Sequence, residues 1–308
     1  MKYQASIGAV DTEIRVEREG LYLGTRFLDY ADVAALRPIN HRVFIDTLGG
    51  ECIEIAMLGF SYDGFWEELT RAFGARSLEA LFVEETQMMF CEGEYAMPGD
   101  SGRGNIALYA DSVCILPNNC FAVRIPLCFT KDIDLTGYTI TITMCSGTVY
   151  TISKMGYDTN PFAERLMNAA AAVKQARQKR LSELPLNEPF THKGLFRTKQ
   201  AEQYWNAALR ENACALEFFT DEDTATYLYR FSETKELFEL KLREATEAMG
   251  IHREIIYCAE EKIAENPLYR MAVARSEAVS FLRSKIVGRA IHNASHTQRL
   301  AEFLQTDT

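Results

Sequence analysis

The feature that most constrains this chain is a repeat displaced by 97 residues. Leu58–Leu69 (LGFSYDGFWEEL) aligns with Met155–Leu166 (MGYDTNPFAERL), and the alignment runs back without a gap to Leu28 and Ile125. Only seven positions are identical across it, but the kinds of residue recur in order. Each copy has two β-rich runs around a glycine turn: Val43–Leu48 and Cys52–Leu58, then Tyr138–Cys145 and Val149–Met155. TITITM and VYTISKM alternate as strands with one buried face do. A helix start follows each hairpin. Asp63 and Asn160 are expected as N-caps, Pro161 suits a first helical turn, and Phe65 and Phe162 are placed to pin each helix to its sheet.

A further short hairpin precedes each copy, at Glu13–Arg18 with Gly20–Thr25 and at Asn105–Tyr109 with Ser112–Leu116. The second copy carries about five extra residues, Pro117 to Phe121, in the loop that follows. Antiparallel strands ending in one amphipathic helix suggest a small, strongly bent sheet or partly open barrel. The expected class is therefore α+β. A length of 308 residues suits two or three domains. The expected divisions are 1–98, 102–182 and a mostly helical 194–308 containing a β-hairpin near 214–231.

The first two of these resemble pleckstrin-homology-like (PH/GRAM-like) modules in tandem, as found in uncharacterised bacterial proteins. The likeness rests on the apolar steps Leu28–Leu36 and Ile125–Ile133, the glycine-turn hairpins and the Phe-led helices. About five strands per copy are legible where that fold uses seven, with 26–42 and 121–137 available to hold the others. The resemblance implies two small antiparallel barrels, each closed by a C-terminal helix, and binding rather than catalysis. Members of that family recognise phosphoinositides, peptides or other domains.

Beyond the repeats, Glu183–Lys193 reads as a linker. Thr198–Asn212 looks helical, Cys214–Phe219 and Ala225–Phe231 look like a strand pair, and Ser232–Glu233 opens a helix to about Met249. Helices are expected at 252–265, from a strong Asn266-Pro267 start through 268–291, and near 295–304. The 268–291 stretch carries an apolar stripe with Arg275 inside it, which suits a packed helix better than one lying on a membrane.

Candidate chemistry is sparse. His292 and His296 stand four apart and on one continuous helix could share a metal, but no glutamate lies between them as in HExxH, and surface or capping histidines explain them better. Gly99-Asp100-Ser101-Gly102-Arg103-Gly104 has a superficial likeness to a serine-protease nucleophile loop; Arg103 stands where glycine is needed, so an inter-repeat linker is expected. Eight cysteines form no CxxC pair or ligand spacing. Trp66, Tyr157 and Trp205 are expected to pack on their own elements.

The formal charge of −10 gives no attraction to nucleic acid. Acidity concentrates in the first hundred residues, while 102–182 carry more Lys and Arg than Asp and Glu. The candidate contacts are Arg124 and Lys131 near the second barrel's loops, and the basic run Lys174, Arg177, Lys179 and Arg180. That run first reads as a solvated helix C-terminus, and next as a partner for the acidic first repeat. Phosphoinositide or membrane binding ranks low. The expectation is a cytoplasmic, non-enzymatic scaffold without cofactor that meets a protein partner, with the metal enzyme and the membrane helix as rivals.

Overall fold

The computed structural model describes residues 2–8, 10–83, 86–183, 192–197, 202–209, 213–219, 224–249, 253–256 and 258–292. The first antiparallel sheet comprises β1 (Lys2–Ile7), β2 (Val10–Val16), β3 (Gly20–Leu23), β4 (Arg26–Asp29), β5 (Val33–Ile39), β6 (Arg42–Thr47) and β7 (Cys52–Ala56). They lie in the order β4-β3-β2-β1-β7-β6-β5, and helix α1 (Tyr62–Ala80) follows. The second sheet comprises β8 (Met89–Met97), β9 (Asp100–Leu108), β10 (Ser112–Pro117), β11 (Val123–Pro126), β12 (Thr130–Thr136), β13 (Thr139–Met144) and β14 (Val149–Ser153). Its order is β11-β10-β9-β8-β14-β13-β12, and α2 (Thr159–Glu183) follows. The two sheets are wound identically.

Their registers also correspond. Val43 faces Ile55 and Ile45 faces Ile53; 97 residues on, Ile140 faces Ile152 and Ile142 faces Tyr150. A bulge interrupts β5 between Val33 and Ala35, and β12 between Thr130 and Asp132, the same place in both copies. Upstream, the displacement becomes 92: Ile14 faces Leu23, and Ile106 faces Ile115. The missing five residues are the insertion between β10 and β11. The strands hidden in 26–42 and 121–137 are β4, β5, β11 and β12, short enough that only four to seven residues carry any alternation.

Alternation sets the cores. Val43, Ile45, Ile53 and Ile55 of one hairpin and Ile140, Ile142 and Ile152 of the other are buried, along with Phe65, Leu69 and Phe73 of α1 and Phe162, Leu166 and Ala170 of α2. Each helix thus packs its apolar face on its own sheet. Both begin one residue before the expected caps, after a single 3-10 turn. Ser61 precedes Tyr62, and Asp63 and Asn160 fall inside the first turn, where the Asp63 carboxylate suits the positive end of the helix dipole.

The glycine-rich stretch from Gly99 is a hairpin and not a linker. Gly102 and Gly104 lie in β9 opposite Tyr95 and Gly93, and the second sheet already begins at Met89, ahead of the expected 98/102 division. A Cβ at Gly93 would come within 2.9 Å of the Ser153 carbonyl. Glycine here serves close packing between strands, which a composition reading takes for flexibility.

The last third departs furthest from expectation. A five-stranded antiparallel sheet runs β15 (His192–Arg197), β16 (Glu202–Leu209), β17 (Ala213–Phe219), β18 (Thr224–Phe231) and β19 (Ile286–His292), in sequential order. The strand pair of 214–231 is present, but the described part of 198–212, Glu202–Leu209, is β16 in place of the expected helix: pairing with β17 outweighs its helix-favouring composition. Helices α3 (Lys235–Met249), α4 (Glu260–Glu265), α5 (Pro267–Arg275) and α6 (Glu277–Lys285) fill the connection from β18 to β19. Asn266 caps α5 through Leu268 N–H, as its Asn-Pro start suggests. The single helix expected over 268–291 is split at Ser276, whose side chain caps α6, and ends where Ile286-Val287 enter β19. The expected helix near 295–304 and most of the linker lie outside the described residues. Phe231 stacks on Phe238 at 3.8 Å, and both join the second repeat's core with Leu242, Val279 and Leu282.

Candidate functional site

The most informative local structure is a corner found in both copies, where the last strand turns into the helix. Met57 and Lys154, 97 residues apart, both hold a left-handed backbone (φ 61° and 55°), followed by Gly59 and Gly156, also at positive φ. A non-glycine residue in that region is strained by an amount on the order of 1 kcal/mol or more. Both copies keep the strain, and both use it to lift an aromatic ring, Phe60 or Tyr157, wholly into solvent. The expectation that Tyr157 packs on its own module is therefore wrong, while Trp66 does pack against the first core. Trp205 lies in β16, its side chain outside the described residues.

The copies differ in what lies under the ring. In the first, Tyr62 opens α1 and meets the ring of His41 from the β5–β6 turn, edge to face at 5.2 Å. The equivalent pair in the second is Thr159 and Tyr138. Thr159 is small and buried, and its hydroxyl donates to the Gly156 carbonyl at 3.0 Å. With no second ring to meet, Tyr138 stays 71 % exposed. A cleft of about 620 Å³ remains between the β13–β14 hairpin and the start of α2, lined by Tyr138, Ser153, Lys154, Tyr157, Thr159 and Asn160 among others. Lys154 is held at its rim by Glu94 at 2.9 Å. Such a cleft offers two amphipathic rings, hydroxyl and amide groups, and one neutralised cation: contact chemistry, with no nucleophile paired to a base.

The residues proposed from sequence fall elsewhere. Arg124 lies in β11 and is spent internally: its guanidinium reaches Asp111 at 3.0 Å, the Ser112 hydroxyl at 3.2 Å and the Phe82 carbonyl at 2.9 Å. Lys131 is exposed on β12, and its carbonyl accepts from Lys174 Nζ at 3.4 Å. Lys174 therefore turns to its own module's edge strand, not to the acidic first repeat. Lys179 is exposed on α2, and Arg177 and Arg180 share that helix, their side chains outside the described residues. His292 ends β19 opposite Thr226, on a strand where the metal reading needs a helix, and His296 lies outside the described residues. Among the described residues no three His, Cys, Asp or Glu are grouped to hold a metal.

Of the stripe weighed for a membrane, Met271, Ala272, Val279 and Leu282 are buried, and Leu268 and Ile286 are half-buried. No described helix is long and apolar enough to cross a membrane. All eight cysteines are free thiols.

The insertion peculiar to the second copy joins the two repeats. Asn118 accepts a hydrogen bond from Leu36 N–H at 2.7 Å, Cys120 N–H donates to the Ala34 carbonyl at 2.8 Å, and Ala35 bridges to Asn119. It runs antiparallel along β5, the edge strand of the first sheet. Asn119 Nδ2 donates to Asp100 at 2.9 Å and Tyr95 donates to the same carboxylate at 2.6 Å, which fixes the loop to its own hairpin. Sequence comparison of the copies located this insertion, but nothing in it disclosed the strand it covers.

No protein-family model matches the chain, and no curated protein matches it in sequence.

Proposed function

We propose that this protein is a non-enzymatic scaffold of two tandem PH-like modules whose second module grips a protein partner in the Tyr138–Tyr157 cleft. Seven antiparallel strands in a common order, followed by a helix packed on the sheet, support the PH-like reading for each copy. The observation that carries the binding assignment is the difference between copies. In one corner Tyr62 meets the His41 ring; in the other Thr159 offers no ring, and Tyr138, 71 % exposed, stands beside the exposed Tyr157 with a cleft between them. Exposed tyrosines bind at small entropic cost, since each has few rotatable bonds and gives both apolar area and a hydroxyl. The fitting ligand is an extended segment of a partner protein that places an apolar side chain between the rings. Free thiols suit a reducing, cytoplasmic setting.

The test compares the full chain with Tyr157→Ser and Thr159→Tyr, the second giving the open corner the residue that fills the closed one. A protein captured by the wild type and lost by both variants, at unchanged melting temperature, supports the assignment. Equal capture by all three overturns it. So does tight sedimentation of the intact chain with anionic vesicles that Tyr157→Ser abolishes, because that would make the cleft a lipid contact.

A further inference from the structure

A second, smaller crevice lies between the repeats and is built from three elements that meet only in the tandem. One wall is the outer face of the β8–β9 hairpin. Glu92 stands opposite Asn105, and Arg103 is two residues along the same strand, so all three side chains leave the sheet on one side. The neighbouring Cys91 and Ile106 point into the core. The facing wall is α1, which presents Trp66 and Thr70 one helical turn apart. The end is closed by Asn118 of the insertion, whose carbonyl is fixed by Leu36 N–H.

The crevice is half-open, holds about 210 Å³, below the range for drug-sized ligands, and has Glu92 and Arg103 exposed at its mouth. Several of the first repeat's arginines, Arg18, Arg26, Arg37, Arg42 and Arg76, are ion-paired, as is Arg124 of the second. The side chains of Arg103, Glu92, Asn105 and Asn118 make no hydrogen bond or ion pair among the described residues.

We propose that this crevice binds a free α-amino acid. Arg103 suits a carboxylate, which a guanidinium can hold by two parallel hydrogen bonds. Glu92 suits an ammonium group. A ligand with only an anion would face Glu92, and one with only a cation would face Arg103; a zwitterion satisfies both. The two asparagine amides each offer donors and an acceptor to the same polar end. The Trp66 ring gives the ligand's side chain an apolar surface.

The full chain is titrated calorimetrically with each of the common L-amino acids. At least one is expected to bind with a dissociation constant below about 1 mM. Its α-carboxamide and its N-acetyl derivative are each expected to bind about tenfold or more weakly, as is the amino acid itself to Arg103→Gln and to Glu92→Gln. Lys154→Ala, in the other cleft, leaves this binding intact and separates the result from the fate of the scaffold reading. Failure of every amino acid to bind below about 1 mM overturns the proposal. Equal affinity for the carboxamide, or for Arg103→Gln, overturns it as well.

Discussion

Arg275 of α5 donates a hydrogen bond to the carbonyl of Ala80, the last residue of α1, so that the C-terminal third is tied to the end of the first repeat's helix. The geometry uses the helix's negative end, where carbonyls lack partners within the helix. Burial holds the guanidinium's affinity for its proton well down, to a pKa of about 9. Two residues on, Phe82 gives its carbonyl to Arg124 of the second sheet. Met271 packs with Ala31 and Ala80 beside this point, and Arg270 reaches Asp32 at 3.4 Å. Three parts of the chain thus converge on one helix terminus.

Arg275→Ala removes the hydrogen bond and the packed stem, and leaves the Ala80 carbonyl without its partner. A loss of about 2–3 kcal/mol is expected in urea unfolding. Hydrogen exchange should quicken in α5 and α6 before it does in β6 and β7. Uniform quickening across the chain would show that Arg275 does not hold that junction.

The cleft predictions are directional. Thr159→Tyr should lower the exposure of Tyr138, read as slower iodination of that residue, because the new ring takes the place that Tyr62 has against His41. Unchanged modification of Tyr138 would mean that the two corners do not correspond in the way their registers indicate.

Gly20→Ala should be severe. A Cβ there would sit 2.2 Å from the Leu28 carbonyl oxygen, a backbone atom that cannot move without disturbing the β3–β4 pairing. A cost of about 3 kcal/mol is expected from thermal or urea melts. Gly74→Ala, in α1 with open space around it, should be neutral or slightly stabilising by comparison.

Alkaline pH should destabilise the first repeat through its tyrosines. Burial, with a hydrogen bond to Glu68, raises the Tyr3 hydroxyl to about 12, and burial raises Tyr30 further. A raised phenol contributes stability that is complete below the unfolded value of about 10 and declines as pH climbs towards the folded value. Stability measured by urea should therefore fall between about pH 10 and 12. Tyr3→Phe should flatten that fall, and an identical slope in the variant would refute this account of Tyr3.

How much of this was legible in the sequence depended on whether the signal was local. TITITM announced β13 because one face of that hairpin is buried and the other is wet, and the glycine turn fixed where it folds back. The duplication located each helix and the insertion, since both are matters of order along the chain. The last third misled because Glu202–Leu209 carries helix-favouring residues and is held as a strand by its neighbour. The cleft was present only as a substitution of threonine for tyrosine. Its meaning required knowing that His41 and Tyr62 touch. Arg124 was singled out as a free cation because an ion pair with Asp111, thirteen residues distant, leaves no periodic trace.

The strap laid by Asn118–Cys120 along β5 makes the first module dependent on its neighbour. Severed from the second, it would present a naked strand of backbone donors and acceptors, the surface from which sheets grow sideways into polymers. Anyone dissecting this protein should then expect the amino-terminal half alone to self-associate more readily than the intact tandem.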